Sequence, residues 1–137
     1  MPIRTAHRED GAAIEALLRS VSGVWQRTWR SDAVARALAS ADELALVAEE
    51  SNAIVGFICG HDNGFRASLS ELVVSEQWQH RGLGAALLFA LEQGVAERGC
   101  HLLIADVYPP AVPFYRGLGW REPHASLLSH VITGAAA

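Results

Sequence analysis

Between a run of strand character, Leu69 to Val74, and a run of helical character, Gly84 to Arg98, the chain reads Gln79-His80-Arg81-Gly82-Leu83-Gly84. Two glycines at such a junction let the backbone come close to a bound group. The helix that follows aims its unpaired first-turn amides and the positive end of its dipole at the same place. Gly82 and Gly84 therefore point to a cradle for a pyrophosphate. A bare G-x-G also arises for conformational reasons, so its context has to decide. A dinucleotide fold asks for G-x-G-x-x-G, but position 87 is Leu. A Walker loop needs a lysine, and all 11 basic residues here are arginines, which also removes Schiff-base and lysine-nucleophile chemistry.

With 137 residues, 50% of them apolar and 19% charged, the chain is expected to form one domain, 1–137, around its own core. Met1-Pro2-Ile3-Arg4 opens no signal-peptide core, and the longest apolar run, Ala85 to Leu91, is too short to span a bilayer. The expectation is a cytoplasmic protein with no membrane partner. A formal charge of −4 argues against a nucleic-acid surface and suits a cationic ligand. Cys59 and Cys100 read as reduced thiols. No pair among the six histidines has a metal-ligand spacing, and none stands beside a Ser or Cys as a nucleophilic triad requires, so neither a metal nor a triad is expected.

Periodicity predicts a short strand at 2–5, a helix from Arg8 to Val21, and a second helical segment within Ser22 to Ser40 capped at Ser31 or Asp32. Glu43 to Glu50, Ala53 to His61 and Ser68 to Val74 read as a three-strand meander with a turn at Asp62-Asn63-Gly64. The helix from Gly84 to Arg98 carries Leu87, Leu88, Leu91 and Val95 on one face and stops at Gly99; Gly94 inside it costs about 1 kcal/mol. His101 to Val107 is expected to be a parallel strand buried on both faces. A short helix, Ala111 to Leu118, and two last strands, Trp120 to Arg121 and Ser126 to Thr133, complete the order.

This order describes a mixed α/β sandwich, and the chain resembles the GNAT superfamily of acetyl-coenzyme A dependent N-acetyltransferases. The motif Q/R-x-x-G-x-G/A is matched by Gln79, Gly82 and Gly84, with Val74 five residues ahead. Ile3-Arg4-x-Ala6 with Asp10 is similar to the family's opening, and Phe114-Tyr115-x-x-Leu118-Gly119-Trp120 to its late F-Y-x-x-L-G-F signature. The resemblance covers nearly the whole chain. It implies a central, mostly antiparallel sheet flanked by helices and splayed between its fourth and fifth strands.

The implied reaction moves an acetyl group from acetyl-CoA to a primary amine on a small molecule or peptide, by direct attack through a tetrahedral intermediate. The backbone of His80, Arg81, Gly82, Leu83, Gly84 and Ala85, with Gln79, is the implied pyrophosphate site; Arg81 reads equally as a solvated loop residue. Leu72, Val73 and Val74 are the implied edge for the pantetheine arm, and an amide near Leu72 or Val73 the donor to the thioester oxygen. Where the family often has Asn six or seven residues before the late Tyr, this chain has Tyr108 and Pro109, leaving the Tyr108 hydroxyl as a donor or a packed strand-end aromatic.

Glu71, an acid within an apolar strand on the face opposite Leu72, is the candidate base, or else a solvent-facing charge. Tyr115 matches the family's general acid for the departing thiolate; its other reading is a core aromatic beside Phe114. Trp25 and Trp29 either wall the acceptor cleft or belong to the core. The resemblance admits a homodimer. A non-catalytic acyl-CoA-binding sensor or interaction module is the alternative function.

Overall fold

The computed structural model describes residues 2–132, which divide into two compact units between Ala105 and Asp106. In the first unit five strands lie in the order β1 (Ile3–Thr5), β2 (Ala45–Glu50), β3 (Ala53–Asp62), β4 (Ala67–Val74), β5 (Leu103–Ala105). All neighbours are antiparallel except β4 and β5, which are parallel. The parallel pairing covers only Ala67–Leu69 against Leu103–Ala105. Beyond it, residues 70–74 keep β3 on one side and, among the described residues, no strand on the other. This is the expected splay between the fourth and fifth strands.

Each sheet face has its own helical cover. On one face Val47, Phe57, Cys59 and Val73 pack under Ile14, Leu17 and Leu18 of α1 (Gly11–Ser20) and Val34 of α2 (Ala33–Ala41). On the other, α3 (Leu83–Glu97) buries Leu83, Leu87, Leu88, Leu91 and Val95, the stripe that its 3.6-residue period predicts. Here β3 carries Gly56 and Gly60, and a Cβ built on either would fall 2.9 Å from Leu87 Cδ1 or 2.8 Å from Leu91 Cδ1. The two glycines are holes into which α3 presses its leucines. Gly94 likewise makes room, for Leu44, whose Cδ2 would lie 3.2 Å from an added Cβ.

The helix expected after Ser31 or Asp32 is α2, which starts behind Asp32, and 22–30 ahead of it runs through turns, with Gly23 at φ 82°. Two expectations need correction. The strand at His101–Val107 shrinks to β5 and is not covered on both faces: Leu102 and Ile104 are exposed, since an edge strand paired over three residues has no layer on its second face. No strand forms over 120–132 among the described residues, where Leu127, Leu128, Val131 and Ile132 are exposed; apolar character without a partner edge makes no ladder. Thr133, the predicted end of the last strand, lies outside the described residues.

The second unit holds α4 (Val112–Gly117), entered through Pro109–Ala111 and closed by Gly119 at φ 95°. Tyr115 is its buried residue, its ring edge-on to Phe114 at 5.1 Å and to Trp120 at 5.2 Å. Arg116 pairs with Glu122.

At the amino end, Arg4 reaches Asp10 with two guanidinium nitrogens at 2.9 and 3.0 Å and Glu49 with a third at 3.1 Å, tying β1 to the start of α1 and to β2. The hydrogen bonds from Arg4 hold the Asp10 carboxyl down at about 2, against an ordinary 3.8. A carboxyl depressed in the folded state contributes stability that is complete above the ordinary value and is lost as the pH falls through the folded one. Asp10→Asn is therefore expected to destabilise the protein by about 2 kcal/mol at pH 7 in urea titrations, and the gap to wild type should close between pH 4 and 2. An equal gap at both ends of that range would show that Asp10 acts without its charge.

Candidate active site

The loop that joins β4 to α3 is held by its own residues. Gln79 donates its side-chain amide to the Val74 carbonyl at 3.0 Å, so this glutamine closes the turn. His80 and Gly82 both take positive φ, 64° and 85°, and Gly82 is the residue ahead of the first turn of α3. The helix begins at Leu83, one residue earlier than the periodicity predicts. Glycine brings no side-chain cap, and an α-helix leaves its first amides without internal partners, so those of Leu83, Gly84 and Ala85 point out of the turn. A Cβ built on Gly82 would meet nothing within 4 Å: the turn needs glycine for its left-handed backbone, and the space outside it stays open. Arg81 is exposed, with its guanidinium carbon 4.9 Å from the Trp78 ring centre.

On the α1/α2 face of the sheet lies a cleft of about 850 Å³ whose walls include Trp25, Trp29, Val34, Phe57, His61 and Glu71. Trp25 and Trp29 meet edge to face at 5.2 Å in the non-helical segment 22–30. Arg19 covers Trp25, 4.0 Å from its ring centre. Asp32 is held by Arg36 at 2.7 Å and Asp62 by Arg98 at 3.1 Å.

A local irregularity decides which β4 side chains reach this cleft. Cys59 pairs with Glu71 but Gly60 pairs with Leu69, so Ser70 is an extra residue on β4. Such a bulge breaks strict alternation and lets two consecutive side chains serve one face. Ser70 and Glu71 both line the cleft, together with Ser40 from α2 and His61 from β3.

Of these, Glu71 is the base candidate of the sequence, whereas Ser40, His61 and Ser70 were not singled out: no spacing in the sequence sets a histidine beside a serine, and the fold does so. His61 Nδ1 lies 2.9 Å from Ser40 Oγ, its Nε2 3.0 Å from Ser70 Oγ and 3.6 Å from Cys59 Sγ. Burial pushes the His61 imidazole below its ordinary value, with the contact to Ser40 opposing. Burial also pushes the Cys59 thiol up to about 11, which keeps it protonated. The sequence carries no mark of this meeting, because it depends on a register shift between β3 and β4 that shows only in their pairing.

Leu72 and Val73 lie past the bulge, where β4 pairs with β3 and no longer with β5, and Val74 ends the strand. In the second unit Tyr115 is buried, whereas Tyr108, at the entry to Pro109–Ala111, is 70% exposed.

Residues 12–120 match the model of the acetyltransferase (GNAT) family. The chain belongs to that family. An acetyltransferase of Pectobacterium atrosepticum is 30% identical to this GNAT chain over 123 residues, 86% of each protein. An acetyltransferase of Yersinia enterocolitica is 42% identical over 89 residues, and the match spans 63% of either length. Among solved structures, the PaiA N-acetyltransferase of Thermoplasma acidophilum in complex with coenzyme A superposes with a TM-score of 0.78 at 18% identity, over 91% of this chain and 92% of that one. This GNAT acetyltransferase thus shares its fold with a coenzyme A complex. No helix among its described residues is long and apolar enough to cross a membrane.

Proposed function

We propose that the chain is a single catalytic domain that transfers an acetyl group from acetyl-CoA to a primary amine, on a small molecule or a peptide, by direct attack on the thioester. The observation that carries this reading is the turn at Gly82. It is a left-handed, uncapped helix start, reached through the loop that follows a strand whose outer edge is unpaired over 70–74. Amides at a helix start bind phosphate oxygens, and an open strand edge takes up an amide-bearing chain such as pantetheine. Arg81 adds charge at the rim, and Tyr108, exposed beyond β5, is the proposed donor to the pantetheine arm in place of the usual Asn.

The residues then divide the work. A main-chain amide near Leu72 or Val73 steadies the oxyanion as the amine nitrogen bonds to the acetyl carbon, an interaction worth about 3 kcal/mol. Glu71, in the cleft beside the splay, draws the ammonium form of the acceptor and takes its proton. The walls of Trp25, Trp29 and Phe57 favour an amine with an apolar body. Tyr115 protonates the departing thiolate, so that the carbonyl can re-form with loss of coenzyme A.

Thiol release from acetyl-CoA by purified protein, screened against amine classes, tests the reading. Amine-dependent release supports it. Binding of acetyl-CoA with no release for any amine would favour a sensor module instead, and no binding at all would defeat both. Gly82→Val places a β-branched side chain at φ 85° in the mouth of the cradle. It is expected to weaken coenzyme A binding at least about tenfold by calorimetry, and the left-handed backbone strain should also cost about 1–3 kcal/mol of stability, so binding is measured well below the melting temperature of the variant. Unchanged affinity would move the diphosphate elsewhere.

A further inference from the structure

The side chains of Ser40, His61 and Ser70 form one chain of contacts, with hydroxyls at both ends and an imidazole in the middle. Each serine also has a carbonyl to donate to: Ala37 O lies 3.3 Å from Ser40 Oγ and Cys59 O 3.3 Å from Ser70 Oγ. A neutral imidazole has one N–H and one lone pair, so two arrangements satisfy every group. In the first, Nδ1–H donates to Ser40, which donates to Ala37 O, and Ser70 donates to Nε2. In the second, Nε2–H donates to Ser70, which donates to Cys59 O, and Ser40 donates to Nδ1. The two differ only in the direction in which the protons are handed on.

Resting on the reading that this cleft receives the amine, we propose that Ser40, His61 and Ser70 are the proton exit of the reaction, carrying to solvent the proton that the acceptor amine gives up at Glu71. The ammonium N–H bond breaks and the proton passes from Glu71 to Ser70 Oγ, whose own proton moves to Nε2. The imidazolium then releases the Nδ1 proton through Ser40 to water. One proton enters and one leaves. The ring ends neutral as the other tautomer and resets by exchange with solvent.

Ser40 is exposed, which supplies the wet end, and the bulge sets Ser70 and Glu71 together on the cleft. Carboxylates hold a proton weakly at neutral pH and imidazoles about evenly, so an imidazole behind Glu71 gives the proton somewhere to go. The other titratable or charged groups around the ring are Cys59 on its own strand, Glu71 on β4, and Arg36 on α2 with Arg30 before it; Arg36 is held by Asp32. His61 is depressed by burial, so in wild type it is neutral and ready to accept above pH 6.5.

The test is the pH dependence of kcat/KM with an amine that the wild type acetylates, for wild type, His61→Gln and Ser70→Ala, beside an NMR titration of the His61 ring. Wild type should lose activity on acidification with a midpoint below pH 6.5 that matches the ring titration. His61→Gln should lose at least about tenfold at pH 7 and lack that acid limb. Ser70→Ala leaves the ring in place, so it guards against a folding defect in the first variant; it should lower kcat and shift the Nε2 resonance. The proposal falls if both variants keep the wild-type limb and stay within threefold of wild type, or if the ring titrates above 6.5. Absence of transfer by the wild type to every amine would instead overturn the acetyltransfer reading itself.

Discussion

Tyr115→Phe is expected to lower kcat for acetyl transfer by about 10²–10⁴-fold while coenzyme A affinity stays within twofold. The substitution removes one oxygen and leaves the ring, so the edge-to-face contacts with Phe114 and Trp120 that seat α4 survive. A phenol, with an ordinary pKa near 10, stays protonated at neutral pH yet lies close enough to a thiol's roughly 8.5 to share its proton with a thiolate. Without it the leaving group must take a proton from water, and the tetrahedral intermediate returns more often to substrates. Stopped-flow or steady-state thiol release measures the loss, and thermal unfolding checks the fold. A loss under threefold would return Tyr115 to the role of a packed aromatic.

Leu87→Ala is expected to destabilise the protein by about 3–5 kcal/mol, the upper part of the range for such truncations. Leu87 is fully buried, and its Cδ1 fills the position next to Gly56 where any other residue would carry a Cβ. Gly56, opposite it, has no side chain with which to fill the void, so the site collapses poorly. Gly56→Ala alone should cost about 1–3 kcal/mol by overpacking against Leu87 and Leu83, whereas in the Leu87→Ala background the added methyl enters the cavity and restores about 1 kcal/mol. Chemical denaturation of all four proteins closes the cycle. Strict additivity would show that the leucine and the glycine hole are not coupled.

How much of this was legible can be followed residue by residue. Leu87, Leu88, Leu91 and Val95 mark α3 because burial on one face enforces a 3.6-residue spacing, and Asp62-Asn63-Gly64 marks the β3–β4 turn because Asp62 and Asn63 accept hydrogen bonds from the amides of Gly64 and Phe65. The Gln79–Gly84 turn was legible for the same local reason: positive φ at position 82 selects glycine. Gly94 looked like a cost within a helix, and only its approach to Leu44 explains it. The strands expected after Trp120 failed because a ladder depends on a partner elsewhere in the chain, which the apolar pattern of 126–132 does not specify.

Local chemistry, then, was written into the order of residues: the glycine turn ahead of α3, the amphipathic α3, the absence of lysine and the Phe114-Tyr115 signature follow from backbone sterics and side-chain type over a few positions. Tertiary structure alone decided that Ser40, His61 and Ser70 meet. They come from α2, β3 and β4, and they converge because one extra residue in β4 turns Ser70 toward the same cleft as Glu71. A register shift between two strands is a property of their pairing, so neither strand carries it by itself.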